Sequence, residues 1–88
     1  MGLDSYDLVL SVEQHFGVDL PDEKLAQVKS VGHLARLVEA ELHDVGVPVP
    51  PDKFRVLLEV IRITAEHNGV AVDRVRSDTR FVEDLGMD

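Results

Sequence analysis

Two residue types, cysteine and tryptophan, are absent from this 88-residue chain, and tyrosine occurs only once. Without cysteine the chain can form no disulfide, no thiolate metal site and no cysteine nucleophile. No apolar run approaches the roughly 20 residues of a membrane span, and the acidic N-terminal segment lacks the basic start of a secretory signal. These absences predict a cytoplasmic protein with no membrane span.

Basic residues are also scarce, since nine Lys and Arg face 17 Asp and Glu and leave a formal net charge of −8. Nucleic-acid binding requires clustered basic side chains, so the charge balance argues against it. A strongly acidic surface instead attracts basic protein partners, although solubility alone is the simpler explanation. At this length the chain is expected to form one domain, comprising residues 1–88.

Catalytic and metal-binding patterns are missing as well. The sequence contains no pairing of a nucleophile with a base, no phosphate-binding glycine loop and no G-x-S-x-G elbow. The four histidines, at positions 15, 33, 43 and 67, share no metal-ligand spacing. We therefore expect neither an enzyme nor a metal site.

The first half of the chain has the apolar spacing of helices. Residues 3–16 follow the helical period, and Gly17 is a typical residue for ending such a helix. Pro21 is expected at the first position of a short helix or turn, followed by acids that suit the positive helix end. Ser30 is expected to cap a third helix over residues 31–42. The predicted apolar stripe of the first helix consists of Leu3, Tyr6, Val9, Leu10, Val12 and Phe16.

Three prolines, Pro48, Pro50 and Pro51, predict a non-helical linker over residues 43–51 because they lack amide donors and restrict their neighbours. The longest helix should then run from residue 51 or 52 to about residue 67, and the Asn68-Gly69 pair should end it. The predicted buried side of this helix comprises Phe54, Leu57, Leu58, Val60, Ile61 and Ile63.

The remaining residues, 70–88, are expected to form a long loop with at most one turn of helix near its end. Residues 56–63 and 69–75 are rich in β-branched side chains and leave a strand as the alternative there, although the helical period is stronger in the first run. The whole pattern predicts an all-α fold, a small four-helix bundle of three main helices and one short helix. The loop residues expected to dock on its core are Val70, Val72, Val75, Phe81, Val82 and Leu85.

Two short stretches, FVEDLGMD near the end and FGVDLPDE in the first half, resemble the acyl carrier protein family. Residues 1–42 resemble the family's helices two to four, residues 52–88 resemble its first helix and following loop, and residues 43–51 join them. The order is inverted relative to the family, so the resemblance implies a circularly permuted bundle of acyl-carrier-protein type. In an up-and-down bundle a short linker can join the two ends concerned. The residues that match the family's signature loop are Asp84, Leu85, Gly86 and Asp88.

The resemblance implies a 4'-phosphopantetheine arm, which the family carries on a serine at the start of its second helix. Two alignments compete for that serine. In one, Ser5 is the attachment site; in the other, Gly2 occupies the position and the attachment serine is absent. Gly2 stands 14 residues before Phe16, which is the spacing that the family keeps, whereas Ser5 stands 11 residues before it. The second alignment is preferred, and it leaves the cofactor absent from this chain.

The resemblance also implies acyl or polyketide intermediates as cargo, with phosphopantetheinyl transferases and acyl or ketide synthases as partners. Such partners carry basic patches that dock on acidic residues of the carrier, although an acidic helix face can equally be an ordinary solvated surface. The matching acidic residues here are Asp4, Asp7, Glu13 and Asp22.

The family's apolar cleft for acyl chains gives a further expectation. The matching residues either line such a cleft or belong to the core, and the core is preferred; they are Val9, Ile63, Phe81 and Leu85. Two other interpretations stay open: a non-carrying interaction module that binds through its acidic helix, and a swapped dimer in which residues 52–88 of one chain pair with residues 1–42 of another. Fatty-acid and polyketide carriers share all these motifs.

Overall fold

Four α-helices and one short 3₁₀ turn make up the computed structural model of the chain, which describes residues 6–46 and 54–86. The elements are α1 (Tyr6–Phe16), α2 (Asp22–Leu25), α3 (Val31–Asp44), α4 (Arg55–Asn68) and the 3₁₀ turn Val72–Arg74. The described residues contain no strand and only an isolated bridge between Ser30 and Arg80. The all-α prediction of three main helices and one short helix is confirmed, and the strand alternative is wrong.

One apolar core joins all four helices and the loop that follows α4. Helix α4 packs against both α1 and α3, which brings the two ends of the sequence into one bundle. The start of the first predicted helix and the linker beyond Gly46 lie outside the described residues. The largest fully buried side chains are those of Leu8, Val12, Val28, Val31, Leu34, Val38, Val60, Thr64 and Phe81.

The buried face of α1 differs from the predicted stripe. Leu8 is fully buried, whereas Tyr6 and Leu10 are 74% and 37% exposed. With 3.6 residues per turn, Tyr6 and Leu10 lie one turn apart on one side of the helix, and Leu8 and Val12 lie one turn apart on the side that faces the core. The predicted burial of Tyr6 and Leu10 is therefore wrong. The apolar residues of this helix cover more than one side, and packing buries the side that carries Leu8, Val9 and Val12.

Helix α2 begins one residue later than predicted. Pro21 has an extended backbone (φ −62°, ψ 136°) and precedes the helix, so its placement at the first helical position is wrong. Its carbonyl oxygen accepts hydrogen bonds from the amides of Lys24 and Leu25, both at 3.0 Å. Proline suits this place because it fixes φ and gives up an amide that a helix start would leave unpaired.

Helix α3 begins as predicted and ends later. The Ser30 hydroxyl accepts a hydrogen bond from the His33 amide at 3.2 Å, so the predicted cap is confirmed. The helix continues through His43 and Asp44, which were assigned to the linker, and that assignment is wrong. The first proline is four residues further on, and the chain leaves the helix through Gly46, whose φ of +77° favours glycine.

Helix α4 begins at Arg55, three residues beyond the predicted start at Asp52, and it ends at Asn68 as expected. Gly69 adopts the left-handed conformation that closes the helix, with φ +66°. The predicted burial of Phe54 and Leu58 is wrong, because these side chains are 55% and 58% exposed. The residues that α4 buries are Val56, Val60, Ile61, Ile63, Thr64 and Ala65.

The loop after α4 docks on the core from Val75 onward. Val75 and Phe81 are 3% and 1% exposed, as predicted, and Leu85 packs partly buried against the core. Val70 and Val72 are 36% and 52% exposed, so their predicted docking is wrong. The 3₁₀ turn carries Val72 on the outer side of the loop before the chain reaches Val75.

Backbone hydrogen bonds attach this loop to the start of α3. The amide of Val31 donates to the Thr79 carbonyl at 2.9 Å, and the amide of Gly32 donates to the Ser77 carbonyl at 2.7 Å. A side chain at Gly32 would not fit, because its Cβ would lie 2.8 Å from the Ser77 carbonyl oxygen. The loop therefore supplies acceptors for amides that the first turn of a helix leaves unpaired.

Candidate functional site

Of the predicted site residues, the structure describes those on α1, on α2 and in the final turn. The candidate attachment position, Ser5 or Gly2, lies outside the described residues, as do Asp4 and Asp88. The docking acids that can be placed are Asp7, Glu13 and Asp22, and the signature residues that can be placed are Asp84, Leu85 and Gly86.

The described signature residues form a hydrogen-bonded turn near the end of the chain. One oxygen of Asp84 accepts from the Arg80 amide at 2.8 Å, and the other lies 3.3 Å from the Arg80 guanidinium. The hydrogen bond from the Arg80 side chain, together with that from its amide, holds the pKa of Asp84 below its usual value. Gly86 follows with φ +66° and donates its amide to the Val82 carbonyl. Asp84 thus shapes this turn, a role that the sequence pattern did not reveal.

The three described docking acids differ in their surroundings. Asp7 on α1 and Asp22 at the start of α2 are exposed, as a surface that attracts basic partners requires. Glu13 is half-buried, and its Oε2 accepts a hydrogen bond from the amide of Leu20 at 2.8 Å. Glu13 therefore fixes the connection between α1 and α2 while its second oxygen has acceptor capacity left.

A cleft of about 220 Å³ opens between α1 and α2 and brings two of these acids together. Its buried lining residues are apolar, its acidic lining residues are Glu13 and Asp22, and Tyr6 is its exposed aromatic residue. We call it the α1–α2 cleft, and its lining residues are Tyr6, Val9, Glu13, Leu20, Asp22, Leu25 and Ala26. The sequence indicated the acids but gave no sign that they share a cleft with Tyr6, which was predicted on the apolar stripe of the first helix.

The four residues that were matched to an acyl-chain cleft do not line this cleft together. Val9 is part of its lining, whereas Ile63 and Phe81 are buried in the core at 8% and 1% exposure and Leu85 packs against that core. The preferred alternative, that these residues are core, is confirmed.

Charged side chains also link α1 to α4, a feature that sequence reasoning missed. His15 Nε2 lies 3.0 Å from Glu59 Oε2, and Arg62 lies 2.9 Å from the same oxygen and 3.0 Å from Glu66. The hydrogen bond from Arg62 lowers the pKa of Glu59, and burial opposes that shift only in part. The spacing of Glu59, Arg62 and Glu66 was visible in the sequence, but the contact with His15 depends on how the helices pack.

Neither a metal-binding cluster nor a membrane-spanning helix occurs in the described parts of the chain. Among residues 6–46 and 54–86, no group of three or more histidine or acidic side chains is arranged to hold a metal ion. None of the helices described is both long and apolar enough to cross a membrane.

The described residues form a small all-helical bundle with a cleft between α1 and α2 that is lined in part by acids. Over 41 residues the chain is 46% identical to a protein named acyl carrier protein from Coprothermobacter proteolyticus. The matched region covers 47% of this chain and 50% of that relative. The chain thus spans about half the length of the curated relative it matches. No family model matches the chain, and no solved structure matches it at a significant level.

This match supports a relationship to the acyl carrier proteins, in agreement with the resemblance found in the sequence, and it leaves the inverted order untested. Acyl carrier proteins carry acyl groups and are not enzymes, so the relationship also supports the prediction that this chain is not an enzyme. The all-helical bundle described above agrees with the fold of that family.

Proposed function

We propose that this chain has the scaffold of a carrier-protein domain of the acyl carrier type, a cytoplasmic domain that would present acyl or polyketide intermediates to synthase partners if it bore a phosphopantetheine arm. The observation that carries the proposal is the relationship to an acyl carrier protein over 41 residues. The four-helix bundle supports it, because a carrier needs a compact scaffold with an exposed helix start and an exposed acidic face.

The order of the segments is part of this proposal. Residues 1–44 supply helices two to four of the carrier, residues 45–51 form the joint, and residues 52–88 supply the first helix and the signature loop. In support, α4 lies against α1 and α3, and carbonyl groups of the loop after α4 accept hydrogen bonds from amides at the start of α3. Both segments therefore contribute to one core, as a permuted carrier requires.

We propose that Gly2 occupies the position of the family's attachment serine, so that the hydroxyl for 4'-phosphopantetheine is missing. Ser5 is the competing candidate for that position. The arm would be joined to a serine hydroxyl through a phosphodiester, and its thiol would bear the acyl group. That chemistry requires no cysteine in the protein, and the chain has none. With glycine at the attachment position, the chain would keep the carrier fold and its docking surface but would not be loaded.

Intact mass after incubation with coenzyme A and a promiscuous phosphopantetheinyl transferase tests the attachment position. We expect no mass increase for the unaltered chain if Gly2 holds the position. A gain of one phosphopantetheine that Ser5→Ala abolishes would assign the site to Ser5 instead. Ser11→Ala is the matched control, because Ser11 is an exposed serine on α1 that neither alignment assigns to the arm.

Docking of basic partners is proposed for the acidic face that carries Asp4, Asp7, Glu13 and Asp22. The double variant Asp7→Asn/Asp22→Asn should weaken binding to the transferase and reduce its dependence on salt. The control Asp44→Asn/Asp73→Asn makes the same charge change at exposed positions on other elements. Equal weakening by both double variants would reduce the effect to net charge and contradict the docking face.

A second candidate function is a non-carrying interaction module, which the spacing of 14 residues between Gly2 and Phe16 favours. The interaction module differs from the carrier domain in one respect: it binds the same partners but never bears the phosphopantetheine arm. Size-exclusion chromatography at several concentrations would test the related proposal of a swapped dimer. A monomer at every concentration would contradict the swap.

A further inference from the structure

A second groove lies between α2 and the first half of α3, and it shares no lining residue with the α1–α2 cleft. Its volume is about 310 Å³. One lining residue comes from α2, one from the turn that follows α2, and three from α3. We call it the α2–α3 groove, and the described residues that line it are Lys24, Gln27, His33, Arg36 and Leu37.

The α2–α3 groove is a patch of hydrogen-bond donors on an acidic chain. The chain has a formal net charge of −8, yet none of the described residues that line the groove is acidic. Lysine and arginine side chains only donate hydrogen bonds, and glutamine and histidine each supply at least one N–H donor. His33 and Arg36 lie three residues apart on α3 and therefore share one side of that helix. An anion in the groove would meet donors from both α2 and α3.

Most of these donors are available to a ligand. The side chains of Gln27, His33 and Arg36 make no hydrogen bond or ion pair with the described residues. Lys24 Nζ lies 3.2 Å from Glu41 Oε1, which holds the ammonium beside α3 and leaves further ammonium protons for another acceptor. The charge of Glu41 is thus countered by Lys24, and the guanidinium of Arg36 stays exposed.

The number of donors favours a phosphate group over a carboxylate. A guanidinium can donate two parallel hydrogen bonds to either group. These bonds engage both oxygens of a carboxylate, whereas a phosphate monoester has three acceptor oxygens and a charge of about −1.5 to −2 near neutral pH. Acids elsewhere on the chain oppose binding weakly, because physiological salt screens exposed charges beyond about 8 Å.

We propose that the α2–α3 groove binds the phosphate group of a small phosphomonoester. Arg36 donates the paired hydrogen bonds, and Lys24, Gln27 and His33 donate to the remaining acceptor sites. The volume of about 310 Å³ lies at the lower end of the range of about 300–1,000 Å³ for small-molecule pockets. It fits a short ester chain beside Leu37, which is partly buried against the core. The site does not involve the position of the phosphopantetheine arm, so the proposal does not rest on the carrier function.

The test is an amide NMR titration of the full chain with inorganic phosphate, glycerol 3-phosphate and acetate, at one ionic strength maintained with sodium chloride. Both phosphates should shift the signals of Gln27, His33 and Leu37, with dissociation constants on the order of millimolar. Acetate should bind about fivefold more weakly, because it engages fewer donors. Equal affinity for acetate and the phosphates, or no shift at the groove, would overturn the proposal. Binding of inorganic phosphate without glycerol 3-phosphate would overturn the assignment to an ester.

Arginine variants show whether the paired donors of Arg36 matter. Arg36→Gln should weaken glycerol 3-phosphate about tenfold, and Arg36→Lys, which keeps the charge but loses the planar fork, about twofold to fivefold. Arg74→Gln is the matched control, because Arg74 is an exposed arginine on the 3₁₀ turn, outside the groove. Equal weakening by Arg36→Gln and Arg74→Gln would reduce the effect to net charge and overturn the site. Unchanged amide signals in the core show in each case that the variant is folded.

Discussion

The two described segments of the bundle, residues 6–46 and 54–86, hold their connections in different ways. In the first segment, side chains close the turns: Glu13 accepts from the Leu20 amide and Ser30 accepts from the His33 amide. In the second segment, side chains also close turns, since Asp84 accepts from the Arg80 amide, but the loop after α4 is attached to the first segment by backbone bonds and by the burial of Phe81. The connections of the first segment lie within that segment, whereas the loop of the second also depends on contacts with the first.

Removal of the docked side chain should have the largest effect on this difference. Phe81→Ala deletes a ring that is 1% exposed, and such changes cost about 3–5 kcal/mol of unfolding free energy. Leu58→Ala is the control, because Leu58 is 58% exposed and a surface change of this kind costs within about 0.5 kcal/mol. Urea unfolding measures both. A loss below about 1 kcal/mol for Phe81→Ala would mean that the loop is not part of the core.

Loss of the hydrogen bond between Glu13 and the Leu20 amide should lower the unfolding free energy by less than Phe81→Ala does. Glu13→Ala leaves the Leu20 amide without its acceptor, and loss of a hydrogen bond to a charged group costs about 1.5–3 kcal/mol. Gln14→Ala, at the exposed next residue on α1, should change stability by less than about 0.5 kcal/mol. Equal stability of the two variants in urea would show that the α1–α2 connection does not depend on Glu13.

Glu59, which contacts His15 of the first segment, should give the smallest change in unfolding free energy when its ion pair with Arg62 is removed. This change should depend on pH. Arg62, by its hydrogen bond, lowers the folded-state pKa of Glu59. A carboxyl with a lowered folded pKa stabilises the fold above its unfolded pKa, and this contribution is lost as the pH falls through the folded pKa. Arg62→Gln should therefore raise the pKa of Glu59, as measured by carboxyl ¹³C NMR, and weaken the loss of stability in acid.

Arg55→Gln provides the control for this measurement, because the charge of Arg55 is the least of the causes acting on Glu59. It should raise the pKa of Glu59 by less than Arg62→Gln does. Equal shifts from the two variants would show that long-range charge acts on Glu59 and that the hydrogen bond from Arg62 does not.

The comparison of segments also explains which features the sequence could predict. The Ser30 cap and the glycine that ends α4 depend on neighbours within a few residues, and both were predicted correctly. The loop residues Val72 and Val75 are both apolar, and only the bonds between the loop and the start of α3 decide which of them is buried. The four-helix class and the docking of Val75 and Phe81 were therefore predictable, and the exposure of Val70 and Val72 was not.

The candidate site shows the same limit. The acids Asp7, Glu13 and Asp22 stand out in the sequence because they match a family pattern, and they were predicted as a group. Glu13 also fixes the connection between α1 and α2, and this role depends on a hydrogen bond to Leu20, seven positions away. The place of Tyr6 in the cleft depends on which side of α1 is buried, which the apolar pattern did not determine.

The attachment position offers the most direct test of a carrier-type domain in this chain. Gly2→Ser places a hydroxyl where the preferred alignment expects the family's serine, and the measurement is intact mass after incubation with coenzyme A and a promiscuous phosphopantetheinyl transferase. We predict that Gly2→Ser gains one phosphopantetheine while the unaltered chain gains none. A folded Gly2→Ser variant that stays unmodified while an authentic carrier is loaded in the same reaction would contradict this assignment.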